Sequence, residues 1–150
     1  MVAHVDGSTA EQHRPCYTSR AMSISEPVPL FLAKAEESLA GAESEFANGR
    51  YNNCASRCYY ACFQAAVHAL AQAGVRAARF GGTRSHTLVQ GGFVGQLINR
   101  RKAYSTSHRQ TLMLNLELRL AADYRGEQVT EIQAARAPRR SREFLDAVRG

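Results

Sequence analysis

Residues 51–74 read YNNCASRCYYACFQAAVHALAQAG, and this stretch decides the fold. Small and aromatic apolar residues cover most of its helical circumference, which is typical of a helix at the centre of a bundle. We therefore predict a helix from Tyr51 to Ala73 that ends at Gly74. Its long uncharged run is close to the minimum length of a membrane span. The polar residues and many alanines within that run indicate a helix buried in protein instead.

Three of the four cysteines lie four residues apart on one face of this helix, at Cys54, Cys58 and Cys62. The chain has no Cys-x-x-Cys pair, so the spacing does not support a zinc ribbon. Packing of small side chains is the favoured interpretation, with an adventitious metal or redox site as the alternative. We predict no metal site and no cofactor.

Upstream, apolar residues recur every three or four positions, at Leu32, Ala35, Leu39, Ala42 and Phe46. This period predicts an amphipathic helix that begins after Pro27 and Pro29 and ends at Asn48-Gly49. Residues 1–25 show no such period, and we expect a disordered tail there, with Met22 as an alternative start.

Downstream, residues 75–85 are a basic connector, residues 87–99 a weak helix with three glycines, and residues 100–107 a basic loop. Leucines alternate with other residues from 112 to 120, as in a strand. The surrounding Leu, Met, Glu, Arg and Ala are strong helix formers, however, and favour a helix from Arg109 to Tyr124.

A last helix is predicted from Gln128 to Val148, with Pro138 kinking or splitting it. Five helical segments without a convincing strand predict an all-α fold. The expected architecture is an antiparallel four- to five-helix bundle over residues 26–150.

The charge of the chain is unevenly distributed. The 150 residues carry a net charge of +6, yet residues 46–116 contain nine basic residues and no carboxylate. On charge alone, a polyanion partner and an ordinary solvated surface both stay open. Residues 1–25 contain no apolar segment typical of a secretion signal, so we expect a cytoplasmic protein that does not bind membranes.

Short motifs stand in a distinctive order along the chain. Residues 35–63 read AEESLAGAESEFANGRYNNCASRCYYACF, Ser85-His86 precedes the third helix, residues 119–124 read RLAADY, and residues 142–148 read REFLDAV. Together they resemble the HEPN family of small helical-bundle proteins. The similarity is greatest to stand-alone bacterial and archaeal members with an Arg-x-Tyr-Tyr-Ala-x-Phe helix.

This resemblance implies an HEPN-type bundle that forms a homodimer and acts on RNA. Many HEPN proteins are metal-independent endoribonucleases whose Arg-x4–6-His motifs meet in the dimer cleft and leave cyclic phosphate ends. Many are toxins opposed by a minimal nucleotidyltransferase antitoxin. The alternative is a non-catalytic HEPN module that binds RNA, a nucleotide or a nucleotidyltransferase partner. A purely structural dimerisation bundle is a third interpretation.

At the motif position, Arg57 is followed after six residues by Gln64 instead of His. Glutamine forms hydrogen bonds but does not exchange a proton near neutral pH, which favours the non-catalytic alternative. Arg57 would hold the scissile phosphate, or would pair with Asp123 inside the bundle. Gln64 would position the phosphate or the attacking hydroxyl. His68, one turn further on, would supply the imidazole or be a core histidine.

The other binding candidates also have two interpretations each. His86 would face an anion or cap a helix, and the cluster Arg100-Arg101-Lys102 would grip a nucleic-acid backbone or be a solvated loop. The tyrosines would stack on bases or pack in the core, and these are Tyr59, Tyr60 and Tyr124.

The RLAADY motif adds Arg119 and Asp123 to the binding candidates. Tyr124 loosely resembles the tyrosine that antitoxins modify in some HEPN toxins. Two other Arg-x6-His matches, Arg79 to His86 and Arg101 to His108, are no more than chance gives in an arginine-rich chain.

Overall fold

The computed structural model describes residues 28–75 and 86–150, and every regular element in these ranges is helical. The helices are α1 Val28–Ala47, α2 Tyr51–Gln72, α3 His86–Gly92, α4 Ser107–Tyr124 and α5 Glu131–Arg149. A π-helix over Phe93–Arg100 continues directly from α3. The all-α bundle prediction is confirmed. The predicted tail and most of the predicted basic connector lie outside the described residues.

Helix α2 is the centre of the bundle. It packs against α1, α3, α4, α5 and the π-helix, and twelve of its residues are buried. As the sequence predicts, its circumference is apolar because other helices contact it on nearly every side. Two glycines with left-handed backbone close the turns at its ends, Gly49 with φ 73° and Gly74 with φ 66°.

The third helical segment differs from the prediction in its geometry. It begins at His86, and its second half is a π-helix, in which the N–H of Arg101 bonds the carbonyl of Gln96 five residues back. The physical reason is the low helix propensity of Gly91, Gly92 and Gly95. Because glycine has no side chain to favour the α-helical backbone, this segment departs more easily from regular α-helical geometry.

Helix α5 begins three residues later than predicted and runs unbroken through Pro138, so of the predicted kink or split the split does not occur. A capping box at Thr130 and Gln133 fixes its start. Proline removes the N–H that would bond the carbonyl of Ala134. The thiol of Cys54 donates to that carbonyl at 3.7 Å, which partly replaces the missing helical bond.

The cysteine face of α2 is part of the core. Cys54, Cys58 and Cys62 are buried, and burial raises the pKa of the Cys62 thiol to about 11. Among the described residues there is no group of His, Cys, Asp or Glu able to hold a metal ion. Packing is therefore the role that the structure supports for this stripe. In the same described ranges, no helix is long and apolar enough to cross a membrane.

Candidate functional site

A groove of about 610 Å³ lies between α1 and α2. Small residues on α1 leave room for it, since the side chain of Arg57 passes over Gly41, with Arg57 Cδ 3.8 Å from where a Cβ would be. The groove is lined by Lys34, Glu37, Ser38, Ala40, Gly41, Arg57 and Gln64. It therefore contains both residues of the predicted motif position, Arg57 and Gln64.

Ser38 fixes the orientation of Gln64. The Ser38 hydroxyl donates to Gln64 Oε1 at 2.8 Å, across the α1–α2 contact. An amide whose oxygen is occupied in this way presents its NH₂ group as the remaining polar end. Gln64 therefore enters the groove chiefly as a hydrogen-bond donor.

Arg57 is exposed and makes no ion pair with any carboxylate in the described residues. Of the two interpretations of Arg57, the pair with Asp123 is therefore not found. Asp123 instead lies 3.4 Å from Nε of Arg119, and its other oxygen accepts from Ser56 at 2.7 Å. The physical reason is spacing, because Arg119 and Asp123 are one turn apart on the same helix.

Arg119 is the centre of a second group of side chains, formed by α2, α3 and α4. Its guanidinium carbon lies 4.7 Å from the ring centre of Tyr59, 5.4 Å from that of Tyr60 and 5.9 Å from that of Tyr124. We call the set Tyr59, Tyr60, His86, Arg119, Asp123 and Tyr124 the Arg119 cluster. It unites six binding candidates that the sequence places on three separate helices.

His86 covers the α2 side of this cluster. Its ring lies 4.5 Å from the Phe63 ring and 5.3 Å from the Tyr59 ring, measured between centres. Burial, and then the charge of Arg119, lower the pKa of His86. The imidazole is therefore neutral at physiological pH. Ser85, its predicted partner in a cap, lies outside the described residues.

His68 does not reach the groove surface. It lies one turn beyond Gln64 but is only 4% exposed. Burial of this degree favours the core-histidine interpretation over a role in proton transfer with a bound ligand.

In the basic cluster at the end of the π-helix, Arg101 has a structural role. Arg101 donates through Nη1 to the carbonyl of Ala73 at 2.9 Å, and so closes the C-terminal end of α2. Arg100 and Lys102 are exposed, and Lys102 has a left-handed backbone with φ 51°. Arg101 is exposed as well, so all three cations of the cluster can reach a phosphate backbone, although one donor of Arg101 is already occupied.

Sequence reasoning missed Ser38 and Ser56, which orient Gln64 and Asp123. A signal for Ser38 exists, since it is a polar residue three positions after Ala35 and four before Ala42, on the inner face of α1. No comparable signal marks Ser56, because only the folded bundle places its hydroxyl at Asp123.

The fold and groove define a class: a small antiparallel helical bundle with an arginine-bearing, donor-rich cleft. Comparison with known families places the chain within that class. Residues 28–150 match the HEPN domain, and the chain therefore belongs to the HEPN family. The match confirms the family predicted from the motifs. No curated protein matches the chain.

Proposed function

We propose that this HEPN protein binds RNA through the groove between α1 and α2. One observation carries the proposal: the exposed Arg57 and the Ser38-oriented amide of Gln64 share one groove. A guanidinium beside an NH₂ donor is a suitable pair for phosphate oxygens, which accept but do not donate. The carboxylate of Glu37 also lines the groove, where it can accept from a ribose hydroxyl.

The charges around the groove support a polyanion ligand. Three of the four carboxylates of α1 are already paired: Glu36 with Arg142 and Arg149, Glu43 with Arg142, and Glu45 with Arg50. These pairs leave less negative charge to oppose a phosphate at Arg57. The carboxylate-free segment 46–116 supplies further cations.

A ribonuclease is the second candidate, and His86 is the observation that favours it. Cleavage without metal needs a group that takes a proton from the 2′-hydroxyl, and a neutral imidazole beside Arg119 meets that need. Among the described residues, no histidine lines the groove itself. For this reason we rank binding above cleavage.

Both candidates agree with the further properties that HEPN membership implies. We propose that the protein is a cytoplasmic homodimer. Its cellular role would be that of a toxin, or of a binding module, paired with a minimal nucleotidyltransferase antitoxin. A nucleotidyltransferase gene beside the gene for this chain would support the pairing.

The binding test is a titration of fluorescent single-stranded RNA in EDTA over a salt series. We expect Arg57→Ala to lower the affinity about tenfold or more and to reduce the salt slope by about one phosphate contact. Arg109→Ala is the matched control, since it removes the same charge from an exposed site on α4. Equal losses of RNA affinity in both variants would show that Arg57 acts through its charge alone and that the groove has no specific role.

The cleavage test uses end-labelled RNA in EDTA with wild type, Arg57→Ala, Gln64→Ala and His86→Ala. Binding without cleavage is the result expected of the first candidate. Cleavage that leaves cyclic phosphate ends and disappears in His86→Ala would establish the second candidate. A wild-type protein that neither binds nor cleaves RNA would overturn both.

A further inference from the structure

The Arg119 cluster has an exposed aromatic surface. Tyr124 is 72% exposed, although its ring lies over the guanidinium of Arg119. One face of this ring therefore contacts a cation while much of the side chain remains in contact with solvent. Large exposed aromatic rings are costly to leave in water, and a flat π-surface backed by a cation is a favourable platform for another ring.

Tyr60 connects the Arg119 cluster with the groove. It follows Arg57 by three residues and precedes Gln64 by four, so these three side chains are neighbours on the surface of α2. The hydroxyl of Tyr60 accepts from Nη2 of Arg119 at 3.4 Å. The phosphate-binding side chains and the aromatic side chains are therefore adjacent on the same helix.

The cluster also holds unused hydrogen-bonding capacity. Tyr59 Oη, His86 Nδ1 and Arg119 Nε are buried without a hydrogen-bond partner in the described residues. Nε of Arg119 approaches Asp123 at 3.4 Å, but this is an ion-pair distance without hydrogen-bond geometry. Buried polar atoms are normally satisfied, so three such atoms in one cluster indicate a place where another polar group belongs.

The charges of the cluster disfavour a simple anion as its ligand. The carboxylate of Asp123 is about one-third exposed and offsets the charge of Arg119. It also offers an acceptor to N–H groups from solvent. A neutral, flat molecule that carries both donors and acceptors on its edge matches this arrangement better than a second phosphate does. A nucleobase has these properties.

We propose that the Arg119 cluster is a nucleobase-stacking site, with Tyr124 as the stacking surface, for single-stranded RNA whose backbone lies in the adjacent groove. This inference rests on the proposed function. It adds the class of RNA, since a base must be unpaired to stack on a side chain. Double-stranded RNA would engage the groove alone.

The experiment compares a short single-stranded RNA with an abasic oligomer of the same length and charge. Wild type should bind the RNA more tightly than the abasic oligomer. Tyr124→Leu should weaken RNA binding roughly tenfold and leave the abasic oligomer unaffected. Tyr124→Phe keeps the ring and should retain the affinity of wild type. Ile132→Ala is the control, because it removes an exposed apolar side chain from α5.

Tyrosine emission gives an independent readout. The chain has six tyrosines and no tryptophan, so tyrosine fluorescence is observed directly. Stacking of a base on Tyr124 should quench part of this emission in wild type, and should quench it less in Tyr124→Phe and Tyr124→Leu, since both variants lack the stacked tyrosine. The abasic oligomer should quench none of it.

These experiments distinguish a failure of the stacking site from a failure of the proposed function. If neither oligomer binds wild type, the proposed function fails, and the stacking site with it. If wild type binds both equally and Tyr124→Leu changes nothing, the stacking site is wrong while the groove stands. Equal weakening of both oligomers by Tyr124→Leu, or a loss in Tyr124→Phe as large as in Tyr124→Leu, would also overturn stacking.

Discussion

A single neighbouring hydroxyl determines what Gln64 offers to a ligand. Free glutamine presents a donor and an acceptor with equal ease, but Ser38 occupies the acceptor in this bundle. The substitution of Gln for His at the motif position therefore removes a group able to exchange protons and leaves a donor beside Arg57. At the scale of single residues, this donor supports the phosphate binding that we propose.

Gln64→Glu should abolish this property. The new carboxylate would repel phosphate and would pair with Arg57, so we expect RNA affinity to fall about tenfold or more. Gln72→Glu makes the same charge change at an exposed position near the end of α2 and should lower affinity less than twofold. Similar losses in the two variants, measured by titration, would contradict a specific role for Gln64.

His86 should contribute to the pH dependence of stability. Its pKa in the folded protein lies below the ordinary value of 6.5, because burial and Arg119 disfavour the charged form. His86 in the unfolded chain therefore takes up a proton more readily than in the folded protein. Its contribution to the unfolding free energy is complete above pH 6.5 and is lost as pH falls below that value. We expect His86→Phe to flatten the decline in unfolding free energy between about pH 7 and pH 5.

Denaturant unfolding at a series of pH values measures this effect. Burial also lowers the pKa of His108, so the variant should retain part of the decline. An unchanged slope in His86→Phe would show that the environment of His86 does not penalise its charged form.

At the scale of helices, α5 depends on α2 for more than apolar packing. Pro138 leaves the carbonyl of Ala134 without its helical donor, and the Cys54 thiol approaches it from α2. Next to this contact, the amide of Asn115 donates to Ser141 at 2.9 Å and its oxygen accepts from Arg140 at 2.7 Å. A polar seam thus fixes how α2, α4 and α5 align within an otherwise apolar core.

A double-mutant cycle tests the contact between Cys54 and Ala134. Pro138→Ala restores the N–H donor and should stabilise the protein by about 1–3 kcal/mol. Cys54→Ala should destabilise the wild type by about 1–3 kcal/mol, since it opens a small cavity and leaves a carbonyl unpaired. It should cost less in the Pro138→Ala background. Strict additivity of the two unfolding free energies would show that the thiol does not serve this carbonyl.

The three thiols of α2 should be unreactive in the folded protein. All are buried, so a reagent reaches them poorly. Burial raises the pKa of Cys62 to about 11, whereas hydrogen bonding with Cys58 lowers the pKa of Cys54, so Cys54 is more acidic than Cys62 and relies on its burial for protection. In a Cys16→Ser background, we expect a disulfide reagent to react at least about tenfold more slowly with native than with denatured protein. Rapid reaction of one native thiol would indicate a redox role after all.

At the scale of the whole molecule, the distribution of charge separates two kinds of surface. The acidic α1 is largely neutralised by arginines of α5 and by Arg50, and hydrogen bonding from Arg50 lowers the pKa of Glu45. The basic residues of segment 46–116 have no carboxylates of their own to neutralise them. Of these basic residues Arg57 lines the groove, and the net charge of +6 favours association with polyanions.

The homodimer implied by family membership is directly measurable. We expect light scattering to give twice the chain mass of 16.5 kDa at micromolar concentration. Exposed apolar side chains on α4, Met113 and Leu114, are the kind of surface that association covers. A mass of one chain at all concentrations would contradict a dimer cleft and would require each chain to bind RNA alone.

The sequence by itself determined the number of helices, the central position of α2 and the family, because apolar periodicity and motif order are local properties of the chain. It also placed Arg57 and Gln64 on one helix face, since they are two turns apart on one helix. Only the tertiary structure decided the partners. Ser56 of α2 binds Asp123 of α4, Ser38 of α1 orients Gln64 of α2, and His86 of α3 packs against Tyr59 and Tyr60. These contacts join different helices. The spacing of residues along the chain therefore does not encode them.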